Sequence, residues 1–543
     1  MHIRALRSLP TRFLWLAAAL LLAAMVLLLL GSAREDSLTA DEPAHITAGY
    51  AYLRFRDGRF NPEHPPLLKM LAAAPLLPLP LHFPRDHPAW QDGPNGVWDL
   101  MGVFLFESGH DLHRITARAR VAPIGLTVAL GLVLFLWARR WAGGPAALLA
   151  LGLYAWSPTV LAHGRYVTTD VSAALGVALA GLSFGRFLAA PSHPAALMAG
   201  LALGTALLCK FSTVLLVPLW AGLACLWLVL DPPRRVRYLA GLGMIGVSAA
   251  VVVLLPYLWL TAHYPPEQQR RDAYFTFWGG EQAHAGFAHL AQDRTRDLRA
   301  CAQQQHPLWR CSVDLAVFLA DKPLVRAWAQ YLVGLATLAR HARAGHDFLT
   351  YFLGEVSQTG WWSFFPVVYA IKEPLPFHLL TALALGVALA RVWSSAWGVR
   401  PLAGWLRRHP AETVMLSWLA LYWGVSLTSK LNLGVRHLLP VFPFTILLVA
   451  REVTRWLGTA QDAGRRARWC QLGTRGAVAV LLLWQGGSVL YVYPAFLAYF
   501  NEAVGGPAGG VRYVGDSNLD WGQDLRRLRA FADTQQIDRI AVA

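Results

Sequence analysis

The sequence predicts an all-α polytopic membrane protein with about eleven transmembrane helices, and three observations carry that reading. Of its 543 residues, 55% are hydrophobic and 15% charged, and mean hydropathy is positive, which is too apolar for a soluble domain of this length. Successive stretches stay apolar long enough to cross ~30 Å of hydrocarbon. The arginines fall in alternate connections between those stretches, as positive-inside topology requires. Topology and anionic headgroups thus account for the net charge of +16. No nucleic-acid partner is expected, because no basic stretch is interleaved with aromatics in the way a strand-binding groove needs.

The N-terminal MHIRALRSLPTR is basic and precedes an apolar run over 13–30. That run is longer than the ~7–15-residue core of a cleaved signal peptide, so it reads as a retained first span. Further spans are expected over 121–136, 146–161, 167–187, 195–208, 214–230, 238–260, 375–392, 414–427, 437–449 and 477–493. The connections that hold Arg4, Arg7 and Arg12, then Arg139 and Arg140, Arg186, Arg234, Arg235 and Arg237, Arg391, Arg400, Arg407 and Arg408, and the arginines of 451–475 read as cytoplasmic. The expectation is an integral membrane protein with its N-terminus in the cytoplasm. Residues 1–494 form the transmembrane domain, with a first outer loop over 33–120 and a large outer loop over 261–374. Residues 495–543 form a small extracytoplasmic tail.

Both outer loops are expected to carry interfacial helices. The stretch 313–338 is amphipathic and suits a helix lying at the membrane surface. Cys301 and Cys311 share an outer compartment and a short loop, whereas Cys209 and Cys225 lie in spans and Cys470 lies inside. This distribution predicts a disulfide between the first two. In the tail, 520–532 reads as a helix capped by Asp516 or Ser517, and 537–542 as a strand with no visible partner. Asp516-Ser517-Asn518-Leu519-Asp520 imitates half of a calcium loop. Trp521 and Arg527 stand where the turn glycine and closing glutamate belong, so no calcium is expected.

The chemistry concentrates in TADEPAHITAGYAYLRFRDGRFNPEHPPLLK, residues 39–69. Asp41 and Glu42 follow a span end, where a carboxylate meets substrates at headgroup level. The same Thr39-Ala40-Asp41-Glu42 is also a capping box, with Pro43 suited to the first helical turn. Glu63, His64 and Lys69 surround Pro65 and Pro66, whose rings fix an extended entry and hold His64 in place. The alternative is a kinked loop followed by an interfacial helix over 67–77. Adjacent residues are poor joint metal ligands, so no metal is assigned to Glu63 and His64, although a divalent cation stays possible as a cofactor. Asp170 lies just inside a span, where an ionisable group is costly in lipid. Lys210 and Arg436 offer cations to a phosphate, Arg436 in bidentate form. The chain has only five lysines against forty-three arginines, which hints that a compact ammonium is wanted where lysine is kept. Asp41, Glu42 and Asp170 are therefore the catalytic candidates, and Glu63, His64, Lys69, Lys210 and Arg436 the substrate-binding ones.

The ordered set of DE in the first loop, HPPLLK, TTD at a span end, CKFS and GVRHLLP resembles the GT-C membrane glycosyltransferases of the protein O-mannosyltransferase type, family 39. Glu63 before the prolines and Lys210 in CKFS are also similar to the bacterial aminoarabinose transferases that modify lipid A. The stretches YFLGEVSQTGWWSFFPVVYAIKEPLP and DSNLDWGQDL look like uncharacterised bacterial members. The resemblance implies an inverting enzyme of a bacterial inner membrane that takes its sugar from a polyprenyl phosphate. It implies Asp41 as base, with Glu42 its neighbour and Asp170 the second acidic residue, and His64, Lys210 and Arg436 on donor phosphate or sugar. The chain has no lectin-like insertion of the kind in animal and fungal protein mannosyltransferases, so the acceptor is left as a glycan, a lipid or a protein. The alternatives are a transporter or flippase of lipid-linked sugars and a non-catalytic envelope assembly subunit. Transporters gather their ionisable residues near the midplane, whereas here they sit at outer ends.

Overall fold

The computed structural model describes residues 10–278, 296–304, 308–344, 349–393, 399–459 and 465–540. The N-terminal Arg4 and Arg7 and the last residues of the expected C-terminal strand lie outside them. Among the described residues the chain is helical apart from one two-stranded hairpin, in accord with an all-α polytopic membrane protein.

Eight helical stretches are long and apolar enough to cross a membrane, including Thr11–Glu35 (α1), Thr169–Ala189, Leu375–Trp393 and Gly473–Val492. Two further expected spans correspond to shorter apolar helices, Gly144–Ala155 and His193–Cys209. The first is cut short at Ser157, which caps a new turn by accepting from Val160 N, with Pro158 at its first position. The span expected over 414–427 is the nineteen-residue helix Pro410–Thr428. Burial sorts these helices into layers. The apolar windows of Thr169–Ala189 and Val435–Gly458 are 78% and 72% buried, against 22% for Thr11–Glu35 and Leu375–Trp393. The first two therefore form the centre of the bundle, while Leu20, Leu27, Val247, Leu255 and Leu483 are left on its apolar exterior. Close packing at the centre relies on small residues: a Cβ on Gly181 would come within 2.5 Å of the Phe444 ring.

At one end of the bundle sit the helix Glu42–Phe55 (α2), the short helix Leu67–Ala73 (α3), and Pro266–Trp278, Leu308–Leu319 and Arg326–Ala344. The amphipathic stretch expected over 313–338 is thus two helices, divided where Pro323 disfavours helical backbone at Lys322. Cys301 and Cys311 are disulfide-bonded, with Cα atoms 5.5 Å apart. The hairpin pairs Thr350–Phe352 with Glu355–Ser357 through Leu353 and Gly354, both at positive φ, as a tight primed turn needs.

Residues 495–540 pack against this same end. Phe352 bridges to Val514, Ala40 N donates to Trp521 O at 3.0 Å and Ser37 N to Gln523 O at 2.9 Å. Lys372 Nζ donates to Leu497 O (2.7 Å) and Asn518 O (2.6 Å). The tail helix spans Leu525–Thr534, later than expected, because Asp516–Asn518 closes a separate 3-10 turn. Residues 537–540 are not a strand; no sheet edge accompanies them.

Peptide mapping without reductant is expected to recover Cys301 and Cys311 as one linked species. Cys209 and Cys225, unpaired in the structure, are expected to react with an alkylating agent once the protein is denatured.

Candidate active site

The site is built outward from the start of α2. Thr39 N donates to Glu42 Oε2 at 2.9 Å, one half of a capping box, while Glu42 N meets the Thr39 carbonyl at 3.1 Å instead of its side chain. Both carboxylate oxygens of Glu42 then meet Arg120, with Nε–Oε1 at 2.9 Å and Nη2–Oε2 at 2.6 Å. Val167 N donates to Oε1 at 3.0 Å. Glu42 is fully buried and its acceptor capacity is used, so it has no edge left for a substrate. This placement favours a structural role for Glu42 over the catalytic one expected from the sequence. The box is only half formed, through Glu42, and its neighbour makes no capping hydrogen bond of its own.

That neighbour, Asp41, keeps 30% of its side chain exposed. Its Oδ2 accepts from Arg436 Nη1 at 2.8 Å. The same Nη1 lies 3.7 Å from Asp170 Oδ2, and Asp170 Oδ1 accepts from Lys210 Nζ at 2.5 Å. Four side chains from α2, the first turn of Thr169–Ala189, the end of His193–Cys209 and the turn Val435–Val441 thus form one line of alternating charge. The two carboxylates and two cations balance. Asp170 sits in a helix's first turn, where the backbone N–H groups favour an anion. Its side chain is only 2% exposed, enclosed between Lys210 and Arg436. Arg436 also lies beneath the Trp521 ring, 3.9 Å from its centroid, and its Nε is buried without a hydrogen-bond partner.

Histidines line the inner side. His45, one turn after Asp41 on α2, makes a 2.6 Å hydrogen bond between Nδ1 and Val167 O. Its ring meets that of His64 edge-on at 5.1 Å. Burial pushes both imidazoles below their usual range, so both are neutral near pH 7. The charges of Lys210 and Asp170 act on His64, which joins it to the line. Those of Asp170 and Arg436 act on His163, whose two ring nitrogens are buried without partners. Burial raises the Glu63 carboxyl, Lys69 opposing it and Asp41 adding to it.

Lys69 is elsewhere in function. Its ammonium donates to Asn61 O (2.7 Å), His64 O (2.8 Å), Tyr52 OH (3.0 Å) and Asn61 Oδ1 (3.1 Å), and it is fully buried. In this position the ammonium braces the 61–64 turn beside His64, which favours a structural role over the expected substrate contact. Sequence reasoning missed Arg120, His45, His163, Asp516 and Trp521. Only His45 carried a signal, its four-residue spacing from Asp41 on one helix face. The charge of Asp516 acts on Arg436 from a loop nearly eighty residues further on. Among the described residues no group of three or more His, Cys, Asp or Glu side chains is arranged to hold a metal ion. Asp41 and Asp170 are already matched by Arg436 and Lys210, so the residues present do not fit a divalent cation.

Residues 100–260, which include Arg120, Asp170 and Lys210, match the family model described as dolichyl-phosphate-mannose-protein mannosyltransferase. Among solved structures the chain is similar to ArnT from Cupriavidus metallidurans in the apo state, at 17% identity over 83% of this chain and 80% of that one, with a TM-score of 0.35. It is similar to the Archaeoglobus fulgidus oligosaccharyltransferase complex with Zn and sulfate, at 13% identity over 86% of this chain and 53% of that one, TM-score 0.44. It is also similar to the S. cerevisiae protein O-mannosyltransferase Pmt1-Pmt2 complex bound to the sugar donor, at 21% identity over 51% of this chain and 35% of that one, TM-score 0.30. No curated protein is similar enough to match it.

Glu42→Gln is expected to cost about 3–5 kcal/mol of stability by leaving the Arg120 guanidinium buried and uncompensated, read from unfolding in detergent. The double variant Glu42→Gln/Arg120→Met is expected to recover part of that loss. Burial pulls the Lys69 ammonium down to about 7 from its ordinary 10.5, with Glu63 opposing. Between those values the unfolded chain binds the proton more tightly, so this group's contribution makes stability rise with pH from about 7 toward 10.5. Lys69→Met is expected to remove that slope from melting temperatures measured across the interval.

Proposed function

We propose that this protein is a GT-C-type membrane glycosyltransferase, an inverting enzyme that moves a sugar from a polyprenyl-phosphate donor to an acceptor on the extracytoplasmic side of the membrane. The observation that carries the reading is the line Asp41, Arg436, Asp170, Lys210, in which a partly exposed carboxylate lies beside cations with donors to spare. Among the described residues Lys210 Nζ has one hydrogen bond and Arg436 Nε none, which suits them to a phosphate. The family description matched by 100–260 names a sugar carried on a polyprenyl-type phosphate, and that supports the same donor class.

On this reading the isoprenoid tail stays in the bilayer and the phosphate lies against Lys210 and Arg436. An acceptor hydroxyl oxygen attacks the anomeric carbon opposite the phosphate. The bond from that carbon to the phosphate oxygen breaks, and its electron pair leaves with the phosphate. The hydroxyl proton passes to Asp41, whose Oδ1 accepts no hydrogen bond among the described residues. Charge builds on the departing phosphate where fixed donors already point, an effect worth roughly 3–4 kcal/mol per key donor in other enzymes. The anomeric centre passes through the oxocarbenium-like state that paired carboxylates stabilise in glycosidases. Asp170 acts through the two cations it holds. Neutral His64 and His45 offer hydrogen bonds without adding charge.

The arrangement favours this reading over a flippase, because the ionised groups cluster at span ends and in the layer formed by α2 and the tail. The proposed division is a transmembrane domain over 1–494 and a tail over 495–543 that contributes Trp521 and Asp516 to the site. The acceptor class remains glycan, lipid or protein, with membrane lipids around the bundle.

Asp41→Asn is expected to lower transfer by at least about 100-fold, the scale of a lost general base, with unchanged melting temperature. The measurement is release of free polyprenyl phosphate by purified protein supplied with donor and acceptor. Wild-type release by that variant would remove Asp41 from the reaction.

A further inference from the structure

A cavity of about 480 Å³ opens at the far end of α2, lined among others by Arg54, Arg59, Arg85, Trp90, His263 and Gln268. Asp41 precedes α2 and Phe55 ends it, so fourteen residues of helix, about 20 Å at 1.5 Å per residue, separate this cavity from the candidate active site. The volume is in the range of small-ligand sites.

Its floor is built and neutral. Arg59, only 3% exposed, is forked onto Asp57 with contacts of 2.6 and 3.0 Å, donates to Trp90 O at 2.7 Å and lies 4.4 Å from the Trp90 ring centroid. Asp57 is the one acidic residue among the lining groups, and Arg59 uses both its oxygens. The rim is positive. Arg54 and Arg85 are exposed and make no ion pair among the described residues. Arg85 lies over the Phe55 and Trp90 rings at 4.8 and 5.1 Å, and its guanidinium N–H groups make no hydrogen bond among the described residues. The C-terminus of a helix ordinarily repels anions. Here His263 blunts it, with Nδ1 bonded to Phe55 O at 3.0 Å and N donating to Arg56 O at 3.1 Å.

Height in the membrane narrows the ligand. Trp259, near the end of the candidate span Pro232–Thr261, bonds Tyr52 O through its indole N–H and carries Arg56 4.1 Å from its ring centroid. A tryptophan with a neighbouring arginine at a span end marks the headgroup level. Planar cationic forks at that level suit a phosphate.

We propose that the cavity is a second, non-catalytic site that binds a phosphate ester through Arg54 and Arg85, the group shared by an anionic lipid headgroup and a soluble phosphate. It stands apart from the reaction assigned to Asp41. The test is native mass spectrometry of the purified protein with phosphatidylglycerol, with diacylglycerol as the lipid lacking phosphate, and with inorganic phosphate as competitor. Wild-type protein is expected to retain phosphatidylglycerol about tenfold more tightly than the Arg54→Gln/Arg85→Gln double variant, and to show no preference for diacylglycerol. Displacement by inorganic phosphate would identify phosphate alone as the determinant; resistance to it would identify the lipid headgroup. Both residues are exposed, so the double variant is expected to melt as wild type does. Asp41→Asn protein is expected to bind as wild type, which separates this site from the transfer reaction. Equal retention of phosphatidylglycerol by the wild type and a folded double variant, with no phosphate binding by either, would overturn the proposal.

Discussion

The ion pair between Glu42 and Arg120 is the contact on which the site's geometry depends. Arg120 donates to Ala33 O, Asp36 O and Ser37 O at 2.6–3.1 Å while its other donors meet Glu42. Glu42 in turn accepts from Thr39 and Val167. One buried pair therefore joins the exit from α1, the start of α2, the beginning of the next long helix and the approach to Asp170. Pairs of this kind add little net stability, because desolvation offsets attraction, but they tolerate few alternative arrangements. A 2.8 Å contact between Asp41 and Arg436, side chains 395 positions apart, needs that intolerance.

The charges around Asp41 then follow from bundle geometry. Asp170 and Arg436 ride on the two most buried apolar segments, where an isolated charge is costly and a matched set is not. Balance among four groups leaves the site near neutral yet rich in donors. A ligand phosphate would exchange one anion for another around the same cations, with little rearrangement of the protein. That is the condition under which fixed dipoles and charges stabilise a developing anion.

The C-terminal segment belongs to the same architecture. Asp36 is fully enclosed by Arg165 (2.7 Å), Tyr166 (2.7 Å) and Arg527 (2.9 Å), so the tail helix is tied to the segment that follows α1 through a shared carboxylate. Lys372 adds carbonyl contacts on the opposite side. Burial lowers its ammonium to about 7 and raises the neighbouring Glu373 carboxyl to about 8. Lys69 and Lys372 serve alike: each is a compact ammonium surrounded by backbone oxygens, a geometry three rotatable donors meet better than a planar fork. At both positions the lysine contacts lie against loop backbone, at Asn61 and His64 and at Leu497 and Asn518.

Membrane class, helical architecture, most of the spans and the pairing of Cys301 with Cys311 were legible in the sequence, because each depends on local composition, periodicity or shared compartment. Asp41, Asp170, Lys210 and Arg436 were legible as candidates for a similar reason: charge beside an apolar run is conspicuous wherever it occurs. The sequence could not say that adjacent Asp41 and Glu42 face opposite environments, that Lys69 turns inward, or that Trp521 lies on Arg436. Those outcomes depend on which distant group arrives opposite each side chain, Arg120 against Glu42 and the tail loop against Arg436. Burial and partner choice are properties of the packed bundle, and no local pattern in the chain encodes them.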